Sequence, residues 1–332
     1  MKSITVLGAG TWGTALAAML SEENGCDVTL WSAIESEIKS LRETHKHPNL
    51  DGLVLNDNIV LEADLKTALE GADIVIFAVP SPYVRETAKR SAPYIGSQTI
   101  IVDVAKGFEK GTHMTLCEVI ADELGDERGG IVALSGPTHA EEVSVGLPTA
   151  IVAASSNISA AEDIQHTFSN KFFRVYTNSD IKGIEICGAM KNIIAIAAGI
   201  SEGLGCGDNA KAAIITRGMA EITRLGVALG CSQRTFESLA GIGDLVVTCT
   251  SRHSRNNRTG YLIGKGMTAE NAAKEVGMAV EGLNALPCAI EFAEKYNVEL
   301  PICEMLNKIV QSKLSAKEAL SLLMTRDLKS ED

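Results

Sequence analysis

Short apolar runs punctuate the first half of the chain at residues 4–7, 27–31, 73–79 and 99–103, with a shorter one at 59–61. Amphipathic stretches separate them, and the first, residues 14–20, reads as a helix directly after the opening run. Apolar runs of this length, continuous rather than alternating, are the pattern of parallel strands buried on both faces. Runs at 131–134, 150–153 and 172–176 extend the same sheet. From about residue 181 the period changes. Apolar residues then recur at helical spacing through Ile184, Cys187, Met190, Ile194 and Ala198. The pattern predicts a strand–helix domain over residues 1–180 and a helical domain over 181–332.

The turn after the first run is Gly8-Ala9-Gly10-Thr11-Trp12-Gly13. Strand, glycine turn and helix in this order form the context of a dinucleotide-binding fingerprint. The first glycine permits the tight turn, the second lets a pyrophosphate approach the backbone, and the third lets helix and strand pack closely. The fold class expected is therefore α/β, a Rossmann-type doubly wound, mainly parallel sheet, with an all-helical C-terminal domain.

Composition narrows the class. The 332 residues are 45% apolar and 22% charged, the balance of a globular protein. The net charge of −12 argues against nucleic acid or an anionic membrane surface as a partner. An anionic substrate must then be held by a few local cations. No apolar run approaches the ~20 residues of a membrane span, and a strand three residues into the chain leaves no room for a signal peptide. The eight cysteines form no C-x-x-C pair, so no metal centre is expected and a reducing cytoplasm is. A dimer is the base-rate oligomer.

Ligands of open parallel sheets bind beyond the carboxyl ends of the strands. Val79-Pro80-Ser81, Ala105-Lys106-Gly107 and Ser135-Gly136-Pro137-Thr138 fall there. Lys106 is placed to meet a phosphate or a substrate oxygen, or else is a solvated loop lysine. Lys191 lies in an apolar helical run, one turn after Cys187 and Gly188. It either snorkels to the surface or is functional, and desolvation lowers a lysine pKa toward the range of proton transfer. Asp244, in Gly241-Ile242-Gly243-Asp244, either orients a lysine or is a turn aspartate. Ser254, Arg255 and Asn256 are either phosphate donors or a helix cap with surface charges. His45 and His47 could suggest a metal, but a polar surface loop is the better reading.

Taken together, these segments resemble the bacterial NAD(P)-dependent glycerol-3-phosphate dehydrogenase family over nearly the whole chain. The match runs from residues 8–13 through Ala78-Val79-Pro80-Ser81, Lys106-Gly107, residues 135–142, Gly188-Ala189-Met190-Lys191-Asn192, residues 207–212, Thr216-Arg217-Gly218, residues 241–244, Thr248-Cys249-Thr250, residues 254–256 and Val280-Glu281-Gly282. The resemblance implies hydride transfer between NAD(H) or NADP(H) and C2 of a phosphorylated triose, feeding glycerophospholipid synthesis. It implies Lys191 as the general acid and base, oriented by Asp244. It implies that Lys106, Gly136, Thr138, Lys191, Asp244, Ser254, Arg255 and Asn256 bind substrate. It implies that Gly8, Gly10, Thr11, Trp12, Gly13, Lys106, Ala140, Arg255, Ala279 and Glu281 bind cofactor. His139 and Arg258 receive no role.

Two other readings compete. One is a 3-hydroxyacid dehydrogenase of the same architecture, and the other a non-catalytic NAD(P)-sensing protein. At the end of the second strand, Leu30-Trp31-Ser32-Ala33-Ile34 carries no carboxylate and no arginine, and Glu35 falls past the tip. Ser32 would donate to a ribose hydroxyl or a 2′-phosphate alike, so both NADH and NADPH are expected to serve.

Overall fold

The structure is a computed structural model that describes residues 1–125, 128–328 and 330. It divides into two compact units, Met1–Glu185 and Ile186–Asp332.

The first unit is built on eight strands: β1 (Ser3–Leu7), β2 (Asp27–Trp31), β3 (Val60–Glu62), β4 (Ile74–Phe77), β5 (Ile100–Asp103), β6 (Ile131–Ser135), β7 (Thr149–Ala154) and β8 (Phe173–Asn178). Their order in the sheet is β3-β2-β1-β4-β5-β6-β7-β8. All pairs are parallel except β6 with β7. The order reverses between β1 and β4, the switch point where such sheets bind ligands.

Side chains alternate across the pleat. Ile74 and Ile76 of β4 enter one apolar layer with Ile4, Val6 and Val102, whereas Val75 and Phe77 enter the other with Leu7 and Ile101. Both faces are therefore dry, which is why these strands read as unbroken apolar runs. At the edge, β8 alternates instead: Phe173 and Val175 are buried, Arg174 and Tyr176 exposed.

Helices α1 (Thr11–Glu22), α2 (Glu35–Thr44), α3 (Leu65–Leu69), α4 (Val84–Ser91), α5 (Leu116–Leu124), α6 (Ala140–Val143) and α7 (Ile158–Phe168) connect the strands. The long helix α8 (Ile181–Gly203) starts in the first unit and continues into the second. The second unit adds α9 (Asp208–Ala228), α10 (Gln233–Phe236), α11 (Asp244–Thr250), α12 (Arg255–Gly264), α13 (Ala269–Val276), α14 (Glu281–Tyr296), α15 (Pro301–Val310) and α16 (Ala316–Met324).

Helix α8 corrects one expectation. It is 23 residues long and apolar enough, by length and composition, to cross a membrane, yet its most apolar stretch is almost wholly buried within the protein, which makes α8 a core helix.

Two buried glutamates hold helix starts in place. Glu185 accepts the Cys117 N–H at the start of α5, at 2.8 Å. Asp103, Cys117 and Glu185 bring ligand-type atoms within 4.8 Å of one another, a cluster assembled from positions distant in sequence. Glu221 of α9 accepts the N–H groups of Ile302 and Cys303 at the start of α15, at 2.6 and 3.3 Å. Burial pushes each carboxyl from 4.5 up to about 7, against the opposing pull of these N–H donors.

The folded chain thus binds protons that the unfolded chain has released between pH 4.5 and 7, so stability from these groups falls as pH rises through that window. Glu221→Gln holds its proton-like form at every pH. The stability advantage of wild type over this variant is expected to shrink by about 1–3 kcal/mol between about pH 5 and 7.5. Thermal unfolding at both pH values measures it, and a gap independent of pH would show that Glu221 does not titrate in this way.

Candidate active site

The glycine turn follows β1 at the switch point. Gly8 adopts φ +123°, and a Cβ there would lie 2.7 Å from the Ala78 carbonyl oxygen at the end of β4. Gly13 packs so closely that a Cβ would lie 2.0 Å from the Gly8 carbonyl oxygen. Beside Gly10, by contrast, nothing lies within 4 Å of where a Cβ would be. Gly8 and Gly13 therefore shape the turn, while Gly10 leaves its face open to a ligand.

Helix α1 begins at Thr11, and no side chain caps it. The first backbone bond of the helix runs from Thr14 N–H to Gly10 oxygen at 2.9 Å. The earlier N–H groups thus end a helix with its positive dipole end toward the open side of Gly10, an anion cradle. Thr11 and Trp12 are half-buried at this mouth. The turn fits a dinucleotide pyrophosphate on its geometry.

Lys106 and residues 136–140 follow the carboxyl ends of β5 and β6. Asp103 accepts the Ala105 N–H at 3.2 Å and so folds the loop that presents Lys106. Lys106 Nζ donates to the Gly136 carbonyl at 2.9 Å, and the Thr138 hydroxyl donates to the same oxygen at 3.1 Å. A Cβ on Gly136 would press to 3.0 Å from Ile151 Cα, so the loop lies tight against β7. Ala140 is buried at the start of α6. Lys106, Gly136 and Thr138 thus form one hydrogen-bonded group.

The strand-tip reading of β2 needs correction. Ser32 is 5% exposed, and its hydroxyl donates to Glu37 Oε2 at 2.6 Å while accepting the Ile34 N–H at 3.1 Å. A hydroxyl has one proton. Ser32 therefore has none left for a ribose or a phosphate, and a carboxylate does stand at the tip. It is Glu37, which reaches back from the first turn of α2.

In the second unit, Lys191 is 6% exposed on α8. Its Nζ donates to Asp244 Oδ1 at 2.5 Å and to the Thr248 hydroxyl at 2.7 Å. Asp244 is 1% exposed. It opens α11 after a kinked segment, Leu239–Gly243, in which Gly241 leaves helical geometry. A Cβ on Gly241 would sit 2.1 Å from the Phe236 carbonyl oxygen, so only glycine lets the chain turn there and aim Asp244 at α8.

Thr248, one helical turn on, donates its proton to the Asp244 carbonyl at 2.6 Å. Its oxygen is thereby turned to accept from Lys191. A carboxylate and a hydroxyl oxygen facing one amine favour its ammonium form. The effect opposes the desolvation expected from sequence alone. Nearby Cys249 is buried and its thiol is pushed up to about 12, so it stays protonated and adds no charge.

Ser254, Arg255 and Asn256 open α12. Ser254 is the N-cap, accepting the Asn257 N–H at 3.2 Å, so the cap reading of this residue holds. Asn256 is buried. Its amide donates to Asn192 Oδ1 at 2.9 Å, and its carbonyl accepts the Gly282 N–H at 2.9 Å. Asn257 donates to the Cys249 carbonyl at 3.0 Å. These side-chain amides tie α8, α11, α12 and α14 together around Lys191. Arg255 is exposed and points its guanidinium to the Ala279 carbonyl at 3.5 Å. Ala279 is exposed and Glu281 is half-buried at the start of α14.

Sequence reasoning missed Thr248 as a partner of Lys191. The signal was available, because residues four apart on a helix share a face and Asp244 already stood out between glycines. Asn192 was missed as the tie between the lysine helix and α12, and no local pattern could have paired it with Asn256.

Comparison with known proteins gives this geometry a family. The model of the NAD-dependent glycerol-3-phosphate dehydrogenase N-terminus matches residues 3–161, and that of the C-terminus matches residues 180–321. The glycerol-3-phosphate dehydrogenase [NAD(P)+] 2 of Lactobacillus delbrueckii subsp. bulgaricus is 53% identical over 335 residues, covering 100% of this chain and 99% of that one. The Bacillus subtilis glycerol-3-phosphate dehydrogenase [NAD(P)+] is 46% identical, covering 98% and 95%. The crystal structure of glycerol-3-phosphate dehydrogenase from Coxiella burnetii superposes with a TM-score of 0.93 at 39% identity, covering 98% of this chain and 99% of that one. With both family models matched in order and an intact Lys191–Asp244–Thr248 cluster between α8 and α11, the chain belongs to the NAD-dependent glycerol-3-phosphate dehydrogenase family.

Proposed function

We propose that this protein interconverts dihydroxyacetone phosphate and sn-glycerol 3-phosphate, using NADH or NADPH, with Lys191 as general acid and base. The observation that carries the proposal is the buried Lys191 held by Asp244 and Thr248. The same unit fastens the Ser254-Arg255-Asn256 turn to that helix through Asn192.

The bound nicotinamide supplies a hydride to C2 of the substrate, or takes one from it. Gly8, Gly10 and Gly13, with Thr11 and Trp12, would hold the pyrophosphate at the start of α1. Ala140 in the first unit, and Arg255, Ala279 and Glu281 in the second, are each assigned to the cofactor by the family resemblance. Ser32 would act there by holding Glu37 with its hydroxyl rather than by contacting the cofactor itself. In the reducing direction, negative charge grows on the carbonyl oxygen, and Lys191 donates its proton to that oxygen. Asp244 and Thr248 fix Nζ in place, so no reorganisation is needed as the charge develops.

In the reverse direction the amine takes the hydroxyl proton back, and Asp244 stabilises the ammonium that results. The Ser254 hydroxyl, the Arg255 guanidinium and the N–H groups opening α12 hold the phosphate. Asn256 contributes to that grip by positioning the turn. In the first unit, Lys106 is assigned to the substrate as a second cation, with Gly136 and Thr138 beside it.

The cytoplasm is the proposed location, consistent with cysteines that stand outside disulfides among the described residues. A homodimer is the proposed assembly, on the prevalence of twofold oligomers. The product is the backbone of glycerophospholipids, which places the reaction at the entry to their synthesis.

Loss of NADH or NADPH absorbance on adding dihydroxyacetone phosphate tests the activity. Turnover of a 3-oxo acid, but not of the triose phosphate, would favour a 3-hydroxyacid dehydrogenase instead. Cofactor binding without turnover of either would favour a sensor.

A further inference from the structure

The carboxyl end of β2 lies against the glycine turn, with the Gly8 N–H donating to the Trp31 carbonyl at 2.8 Å. In this fold, that end of β2 meets the adenosine ribose of a bound dinucleotide. The group presented there is Glu37. Its carboxylate is braced by the Ser32 hydroxyl at 2.6 Å, and its backbone N–H donates to the Ile34 carbonyl at 2.9 Å. The side chain is exposed, so it faces solvent where a ribose would approach.

Residues 32–36 supply no lysine or arginine, and Glu35 adds a second carboxylate. The basic residues of α2 are engaged elsewhere. Lys39 pairs with Glu43, and Arg42 donates to the Leu61 carbonyl. His47 lies close enough to feel the charge of Glu37, yet burial holds its pKa below the ordinary 6.5. It is therefore neutral at physiological pH and does not cancel that charge.

A ribose 2′-hydroxyl can donate to a carboxylate here. A 2′-phosphate meets a negative charge and finds the Ser32 hydroxyl already committed to Glu37. We propose that Glu37, held in place by Ser32, is the residue that selects against the 2′-phosphate, so that this chain prefers NADH to NADPH. The proposal rests on the cofactor reading given above and sharpens it. Both cofactors still serve, but the adenosine end of the site is built for the unphosphorylated one.

The test is equilibrium binding of NADH and of NADPH to the purified protein, followed by nicotinamide fluorescence, alongside binding of ADP-ribose and its 2′-phosphate. Wild type is expected to bind the unphosphorylated member of each pair more tightly, by about tenfold to a hundredfold. Glu37→Gln should tighten binding of the 2′-phosphorylated ligands by about tenfold or more, and weaken NADH by no more than about tenfold. Glu37→Arg should reverse the preference. Because Glu37 is exposed, both variants should fold, and circular dichroism checks this. A ratio unchanged in Glu37→Gln and Glu37→Arg, with normal NADH binding, would overturn the role of Glu37 alone. Failure of wild type to bind either cofactor would overturn the cofactor reading and this proposal with it.

Discussion

Replacing Lys191 by alanine is expected to lower kcat for dihydroxyacetone phosphate reduction by at least about 100-fold, the lower end of what a general acid contributes. NADH binding should change little, because the glycine turn belongs to the first unit. One confounding effect has a physical origin. The substitution leaves Asp244, 1% exposed, as a buried charge without its cation, and breaking such a pair costs about 3–5 kcal/mol. The variant could lose activity by unfolding. The double variant Lys191→Met with Asp244→Asn removes both charges and should recover much of the melting temperature while recovering none of the rate. A near-normal kcat in either folded variant would show that Lys191 is not the acid.

Arg255→Ala is expected to cost about 2–3 kcal/mol in kcat/KM for dihydroxyacetone phosphate, the worth of a hydrogen bond to a charged group together with lost attraction. The guanidinium is exposed and its contact within the protein is a 3.5 Å bond to the Ala279 carbonyl, so little folding stability is at stake. With dihydroxyacetone, which lacks the phosphate, and with both reactions run at saturating NADH so that the proposed cofactor contact of Arg255 is not read, the loss should be much smaller. Arg255→Lys keeps the charge but not the planar fork, and should fall between the two. Equal losses for phosphorylated and unphosphorylated substrates would show that Arg255 does not read the phosphate.

Much of this fold is legible in the sequence because its sheet is buried on both sides. Strands such as β1, β4 and β5 appear as apolar runs for that reason, and the glycine turn announces where β1 ends. The antiparallel pairing of β6 with β7 is not legible, since a run of apolar residues carries no direction. The full length of the apolar helix α8 is hidden as well. Lys191 and Glu185 interrupt its composition without interrupting its burial, because each finds its partner on another element.

Within the candidate site, the residues visible in the sequence are those whose type is odd for their surroundings, such as a lysine in an apolar helix or an aspartate between glycines. Those that escape notice are ordinary in their local setting. Thr248 is one threonine on a helix until Asp244 is placed one turn before it. Glu37 lies past the apparent end of β2 in the sequence, yet the first turn of α2 folds back and brings its carboxylate to Ser32. Asn256 reads as a ligand donor, but its partners, Asn192 and Gly282, lie 64 and 26 positions away. Only the folded chain brings them to it.

Transfer of hydride between the cofactor and C2 of a phosphorylated triose, under the control of Lys191, is tested most directly by isotope labelling. The protein is incubated with dihydroxyacetone phosphate and NADH deuterated at both C4 positions, and the product is recorded by NMR. The expected product is glycerol 3-phosphate of the sn configuration carrying one deuterium at C2, formed by wild type and not by Lys191→Met with Asp244→Asn. Product without deuterium at C2, or no product from wild-type protein that binds NADH, would contradict that mechanism.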